Sequence, residues 1–146
     1  MSAIANFIRI PTAAIEQLGS DYGQTLQRHG ESVAEYGWSG YVLATLLAYL
    51  DEKEIPLTKS SYDSLATELS RSRGETIFIF TSAHRDAYLP RLSPGQFSAN
   101  ELGKYFNEFN GTRETEIGQA MLDGIASLRD GLAALDADSV IVFSIG

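Results

Sequence analysis

The hydrophobic positions are densest between Tyr36 and Leu50, where the chain reads YGWSGYVLATLLAYL. A helix over this stretch is apolar on nearly every side, so it must be covered on nearly every side. The run is shorter than the roughly 20 apolar residues that a membrane span needs, and the charged residues 51–54 follow directly. We therefore expect residues 38–50 to form the enclosed central helix of a water-soluble core, with Ser39 as its N-cap.

Three segments have the hydrophobic pattern of strands. Residues 3–10 alternate between two faces, and Pro11 ends this strand because proline cannot donate to a ladder. Residues 76–81, TIFIFT, and residues 140–145, VIVFSI, are apolar on both faces, as expected of strands that are covered on both sides. A short strand near residues 88–89 would make a fourth.

Apolar residues at spacings of three and four predict the remaining helices. The predicted segments are residues 12–29, 32–36, 60–69, 98–110 and 112–135, of which the second is only a helical turn. The resulting order of elements predicts an α+β fold in which a small sheet of three or four strands packs with about five helices. All 146 residues fit one domain of ordinary size.

Charge narrows the range of partners. The chain has 19 acidic and 11 basic residues and a formal net charge of −8. This balance disfavours binding to a nucleic-acid backbone, where cations meet phosphates, and docking on anionic lipid. It permits a basic protein partner, because opposite fields speed and orient encounter. Solubility alone is the alternative explanation of an acidic composition.

Composition also limits the chemistry. The chain has no cysteine, which removes disulfides, thiolate metal sites and cysteine nucleophiles and fits a reducing compartment. The N-terminal sequence MSAIANFIRIPT lacks the basic segment and long apolar run of a signal peptide. We expect a cytoplasmic location, and no motif indicates a cofactor or a metal.

Two arrangements that resemble reactive sites are better explained by structure. Residues 37–40, GWSG, resemble the nucleophile elbow G-x-S-x-G of hydrolases, but the second glycine comes one residue early. Capping of a helix therefore explains Ser39 better than catalysis does. His29 stands near Glu31 and Glu35, yet a chain with two histidines and no cysteine offers few metal ligands, and a helix end suits a histidine.

His84, Arg85 and Asp86 follow the clearest strand directly, where loops often carry function. A histidine near a carboxylate can act as a general base. The triplet matches the H-R-D of protein kinases, but the glycine-rich loop and the D-F-G element of kinases are missing. These residues are the candidate ligand loop, and a polar surface loop is the alternative.

Asp51, Glu52 and Glu54 form an acidic cluster at the predicted end of the central helix. Such a cluster can contact a basic protein, and it can equally be the solvated end of a helix. These three residues are the candidate contacts with a partner.

The order of elements resembles that of the YfbM-like family of bacterial domains, whose function is uncharacterised. The resemblance lies in the opening strand at residues 4–10, in Trp38 ahead of a leucine-rich helix, in the segment 88–94 before a helix, and in the closing helix and strand at 120–145. This chain is shorter and does not have, in the same register, the acidic residues that usually lie ahead of the tryptophan. The resemblance implies a fold and supplies no catalytic residues.

The profile of a small, acidic, single-domain chain without catalytic motifs also resembles that of bacterial immunity proteins, which bind and block a cognate toxin. Our leading hypothesis is therefore a cytoplasmic immunity protein that neutralises a secreted toxin, and the negative net charge permits a basic toxin. The alternative is a small enzyme or ligand-binding protein that uses the loop at residues 84–86. A third hypothesis is an oligomer joined through the last helix, where Gly124 and Gly131 lie one heptad apart; the sequence does not determine the oligomeric state.

Overall fold

A computed structural model of the chain, which describes residues 3–146, contains a four-stranded antiparallel sheet with helices on both faces. The strands are β1 (Ala5–Pro11), β2 (Glu31–Ala34), β3 (Thr76–Phe80) and β4 (Ser139–Ile145), and their order across the sheet is β2-β1-β4-β3. The helices are α1 (Ile15–Ser20), α2 (Tyr22–His29), α3 (Gly40–Glu52), α4 (Asp63–Arg73), α5 (Ser82–Tyr88), α6 (Ala99–Asn110) and α7 (Ile117–Ala133).

Each face of the sheet has its own core. All seven residues of the inner strand β4 are buried, and its side chains alternate between the faces. Phe143 packs with the helices of one face, and its sequence neighbour Val142 packs with those of the other. We call helices α3, α5, α6 and α7 the large layer, and helices α1, α2 and α4 the small layer.

Glycines allow the close packing of the large layer. A Cβ atom on Gly40 would lie 2.9 Å from a side-chain carbon of Ile145, so the first turn of α3 sits directly against the sheet. A Cβ atom on Gly124 of α7 would lie 2.8 Å from Leu43 and 2.9 Å from Leu46 of α3. Gly124 therefore faces the interior of its own chain, and so does Gly131, which packs on Phe7. These glycines give no basis for an oligomer joined through α7.

Most of the predicted strands and helices are confirmed, including the α+β fold class. Within residues 3–146 the sheet has four strands, as the predicted three or four allow, and there are seven α-helices where about five were expected. Ser39 is the N-cap of α3, since its Oγ accepts a hydrogen bond from the backbone N–H of Tyr41 at 3.3 Å. Ser98 caps α6 in the same way.

The helical turn predicted at residues 32–36 is wrong, because residues 31–34 form the edge strand β2, in which Ser32 pairs with Ile8 of β1. The single helix predicted at residues 12–29 is divided at Asp21, whose extended backbone ends α1 and whose carboxylate caps α2. Pairing with β1 thus made residues 31–34 a strand, and the cap at Asp21 divided the helix, although the apolar spacing predicts helix in both places.

The strand expected near residues 88–89 and the loop expected at residues 84–86 are also wrong, because residues 82–88 form α5. Thr81 begins this helix with a capping box, in which its side chain accepts from the N–H of His84 and His84 Nδ1 accepts from the N–H of Thr81 at 3.0 Å. The last helix was expected to begin at residue 112, but α7 begins five residues later at Ile117, so Thr112 does not cap it.

Candidate functional site

The acidic cluster lies at the C-terminal end of α3. Asp51, Glu52 and Glu54 are all exposed, as predicted for contacts with a partner. Glu54 has a left-handed backbone with a φ of 64°, which ends the helix there. The guanidinium of Arg91 donates hydrogen bonds of 2.9 Å to the carbonyl oxygens of Lys53 and Glu54, so this turn is held in place from outside the helix.

The fold places aromatic side chains of α6 beside this acidic end. The hydroxyl of Tyr105 donates a hydrogen bond to Glu52, and its ring contacts Tyr49 edge to face with 5.0 Å between centroids. Tyr105 also stacks on Phe109 at 5.7 Å. Burial and the neighbouring Glu52 raise the pKa of Tyr105 to about 12, so its hydroxyl keeps the proton that it donates at neutral pH.

The outer side of α3 continues this surface. Tyr41 and Ala44 are exposed and follow the helical spacing that leads to Glu52, and Tyr41 has 55% of its surface exposed. Phe109 is exposed to 58%. Aromatic side chains ringed by polar groups are typical of protein–protein contacts. We call the surface formed by these groups the α3–α6 surface, and its residues are Tyr41, Ala44, Asp51, Glu52, Tyr105 and Phe109.

The sequence pointed to the acidic part of this surface and missed the aromatic part. Tyr105 and Phe109 follow Leu102 at spacings of three and four, a pattern that predicts one inward apolar face of this helix. Residues seven apart lie on the same side of a helix, so periodicity alone could not separate the exposed Phe109 from the buried Leu102.

The side chains of the candidate ligand loop do not converge. His84 is 5% exposed, and both ring nitrogens are engaged: Nδ1 by the N–H of Thr81 and Nε2 by the carbonyl oxygen of Lys59 at 2.6 Å. Burial lowers the pKa of His84. Arg85 donates to Asp86 at the surface and to the carbonyl oxygen of Leu135 at 2.5 Å.

A cavity of about 440 Å³ does adjoin His84 beside the carboxyl end of β3. Its wall includes Thr81, His84 and Tyr88, whereas Arg85 and Asp86 lie outside it. The one member of the triplet that reaches this cavity therefore has no free ring nitrogen for general-base chemistry.

Ser39 and His29 occupy structural positions. The Oγ of Ser39 accepts from the N–H groups of Tyr41 and Ala3, as a cap does. His29 lies at the end of α2, and its neighbour Glu31 forms an ion pair with Arg9. Among residues 3–146, no three histidine, aspartate or glutamate side chains are grouped to hold a metal ion.

Trp38 differs from its prediction, because the enclosed segment is open at this end. The indole is 38% exposed, and its Nε1–H donates to a carboxylate oxygen of Asp123 at 2.8 Å. Cavities of about 800 and 480 Å³ adjoin it, and both are also lined by residues 114–117. The buried part of the helix begins at Gly40 and includes Val42 to Leu43 and Thr45 to Leu47.

Comparison with protein-family models, with curated proteins and with solved structures produced no match to this chain. The resemblances to YfbM-like domains and to immunity proteins stay predictions from the residues. None of the helices within residues 3–146 has the length and apolarity needed to cross a membrane.

Proposed function

We propose that this chain is a binding protein that occludes a basic partner protein, and that it acts as an immunity protein against a bacterial toxin. The observation that carries the proposal is the α3–α6 surface, where the exposed Phe109 stacks on Tyr105 and Tyr105 bonds to Glu52. Immobilised aromatic groups bind a partner at a low cost in side-chain entropy, and they dominate the energies of many interfaces.

Electrostatics favours a basic partner. The chain carries a net charge of −8, and in residues 51–54 three carboxylates outnumber one ammonium group. That ammonium, on Lys53, lies 5.5 Å from the centre of the Tyr49 ring. A cationic protein is therefore steered toward the end of α3, where its own apolar contacts can cover Phe109. Inhibition is stoichiometric, since it needs only a bound surface.

The test begins with a tagged chain in its native host. Proteins retained at low salt are identified, and the toxin encoded beside the gene is the expected one. The dissociation constant is then measured with the purified partner. Truncating a central aromatic residue commonly costs 2 kcal/mol or more, so Phe109→Ala should weaken binding by about thirtyfold. The double variant Asp51→Asn/Glu54→Gln should slow association and flatten its dependence on salt.

A charge-matched control lies on the other side of the sheet. Glu16 of α1 and Glu68 of α4 are exposed, so Glu16→Gln/Glu68→Gln removes two charges from the small layer. This control should keep the wild-type affinity within about twofold. If the two double variants lose affinity equally, the effect arises from the net charge of the chain and not from the position of the acidic cluster. A purified partner that stays fully active when saturated would refute the immunity role.

A further inference from the structure

A second open surface surrounds Trp38. The two cavities beside the indole share residues 114–117 as a wall. The larger extends along α6 past Asn100 and Lys104, and the smaller extends toward Ser39 and Val42 at the start of α3. We call the two together the Trp38 trench. The larger cavity alone, at about 800 Å³, lies in the upper part of the range of small-ligand pockets, and the continuation into the smaller cavity suits an extended segment of chain.

The indole at the centre of the trench is fixed in place. Both carboxylate oxygens of Asp123 are used, one by Trp38 Nε1 and the other by Gln119 Nε2 at 2.9 Å. The backbone before Trp38 is tied to α7 as well, because Tyr36 donates to the carbonyl oxygen of Ala120 at 2.7 Å. A rigid aromatic platform loses little conformational entropy when a ligand stacks on it.

The opposite wall is also held. The side chain of Asn107 accepts hydrogen bonds from the Thr112 hydroxyl at 2.8 Å and from the N–H of Glu114 at 3.0 Å. The same side chain donates to the carbonyl oxygen of Glu114 at 3.0 Å. Three bonds from one amide therefore fix the segment that carries Glu114 into the wall of the trench.

The part of the trench that both cavities share is acidic. Glu114 and Glu116 lie in the wall common to the two cavities, together with Trp38, whereas Lys104 lines only the larger cavity and Arg113 only the smaller. Two cations balance two carboxylates over the whole trench, but the shared part beside the indole carries carboxylates alone. Indole is the best aromatic partner for a cation, and a planar guanidinium both stacks on it and donates to carboxylates. We infer that the Trp38 trench binds an extended, arginine-bearing segment of a partner protein, with the guanidinium stacked on Trp38.

This inference goes beyond the proposed function, because the trench is a different surface from the α3–α6 surface. The two stand on different faces of α6: Lys104 and Asn107 line the trench, and Tyr105 and Phe109 belong to the α3–α6 surface. The test below uses peptides in place of the partner, so its outcome does not depend on whether the partner is a toxin.

Trp38 is the chain's only tryptophan, so its fluorescence reports directly on the trench. The full-length protein is titrated with hexa-arginine, hexalysine, hexaglutamate and uncharged maltohexaose at fixed ionic strength. We expect a saturable change in emission with hexa-arginine, with an affinity at least about threefold above that for hexalysine because only guanidinium stacks well. Hexaglutamate and maltohexaose should leave the emission unchanged.

Variants then locate the site, with binding followed by the anisotropy of labelled hexa-arginine. Glu114→Gln/Glu116→Gln changes two exposed side chains and should weaken binding at least about tenfold. Trp38→Ala should do the same, and Trp38→Phe should recover part of the affinity. The control Glu16→Gln/Glu68→Gln, which removes equal charge from the exposed side of the small layer, should stay within about twofold of the wild type.

Several results would overturn the inference. These are the absence of a saturable response to hexa-arginine, a response to hexaglutamate or maltohexaose in its place, and an equal loss in the control variant. The last would assign the binding to net charge alone. A partner that fails to bind the α3–α6 surface would refute the proposed function and leave these peptide results as they stand.

Discussion

The two faces of the sheet bury different kinds of side chain. Within residues 3–146, the core between the sheet and the small layer has nine buried hydrophobic residues, all of them aliphatic. The core between the sheet and the large layer packs Phe143 of β4 against Phe7 and Phe80 of the neighbouring strands, with ring centroids 4.9 and 5.2 Å apart. Three of the four large hydrophobic side chains that are exposed within residues 3–146 also belong to the large layer or border it, namely Trp38, Tyr41 and Phe109.

In our proposal the small layer serves as scaffold, and the large layer carries the surfaces that bind partners. Helices of the small layer bury one narrow face each and present polar groups outward. The large layer carries more aromatic surface than its own packing uses, and both surfaces proposed for partners lie there. Exposed aromatic groups beside polar groups mark interaction sites more often than they mark stability. Paired substitutions, one on each face of the sheet, test whether the two cores differ in this way.

The largest effect is expected from truncating the aromatic core. Phe143 is fully buried between Phe7 and Phe80, so Phe143→Ala should lower the free energy of unfolding by about 4 kcal/mol. Val142 is the next residue on the same strand and faces the small layer, where Val142→Ala should cost about 2 kcal/mol. Urea unfolding of the two variants and the wild type measures both values. Equal losses would show that the core beneath the small layer loses more stability for each deleted carbon, since Val142→Ala removes two carbons and Phe143→Ala removes six.

Glycines provide a second pair with effects of opposite sign. A Cβ atom on Gly118 of α7 would lie 2.0 Å from the carbonyl oxygen of Ala99 in α6, so Gly118→Ala should destabilise the protein by about 2–3 kcal/mol. Gly23 of α2 has nothing within 4 Å of the same atom, and Gly23→Ala should stabilise by up to about 1 kcal/mol through helix propensity. Thermal and urea unfolding of both variants and the wild type measure these two changes in stability. A neutral Gly118→Ala would mean that α6 can move away from α7, and that the large layer packs less tightly than its glycines indicate.

Sequence reasoning succeeded where burial dictates the pattern. Residues 76–80 and 139–145 are apolar on both faces because helices cover both faces. It failed where a few local bonds decide. The loop expected at residues 84–86 is part of the helix α5, where His84 fills the place that glutamate or glutamine usually takes in a capping box.

The candidate sites show the same limit. Charge alone identified Asp51, Glu52 and Glu54, since acidic residues at a helix end are visible in the sequence. The partners that give this cluster its shape, Tyr105 and Arg91, come from distant parts of the chain and meet α3 only after folding. Trp38 belongs to a segment whose apolar pattern predicts burial. Its hydrogen bond to Asp123, which holds the indole at the surface, depends on a residue 85 positions away and is not visible in the sequence.

The smallest effect concerns His84, which lies at the rim of the large layer with its ring 6.0 Å from that of Phe80. Burial lowers the pKa of His84, against the opposing effects of the Lys59 carbonyl and the Asp63 carboxylate. Protonation would also put a hydrogen on Nδ1, which now accepts from the N–H of Thr81. The folded protein therefore takes up this proton less readily than the unfolded chain.

The stabilising contribution of neutral His84 is then fully present above the ordinary histidine pKa of about 6.5 and is lost as the pH falls through the lower folded value. Between pH 7.5 and 5.5 this should cost up to about 1 kcal/mol of unfolding free energy. His84→Gln supplies the matched comparison, because glutamine can accept from the N–H of Thr81 but does not titrate. Urea unfolding across this range should give a flatter dependence on pH for the variant. An unchanged slope would show that the capping box at the rim of the large layer tolerates the imidazolium, and that the pH dependence of stability arises elsewhere.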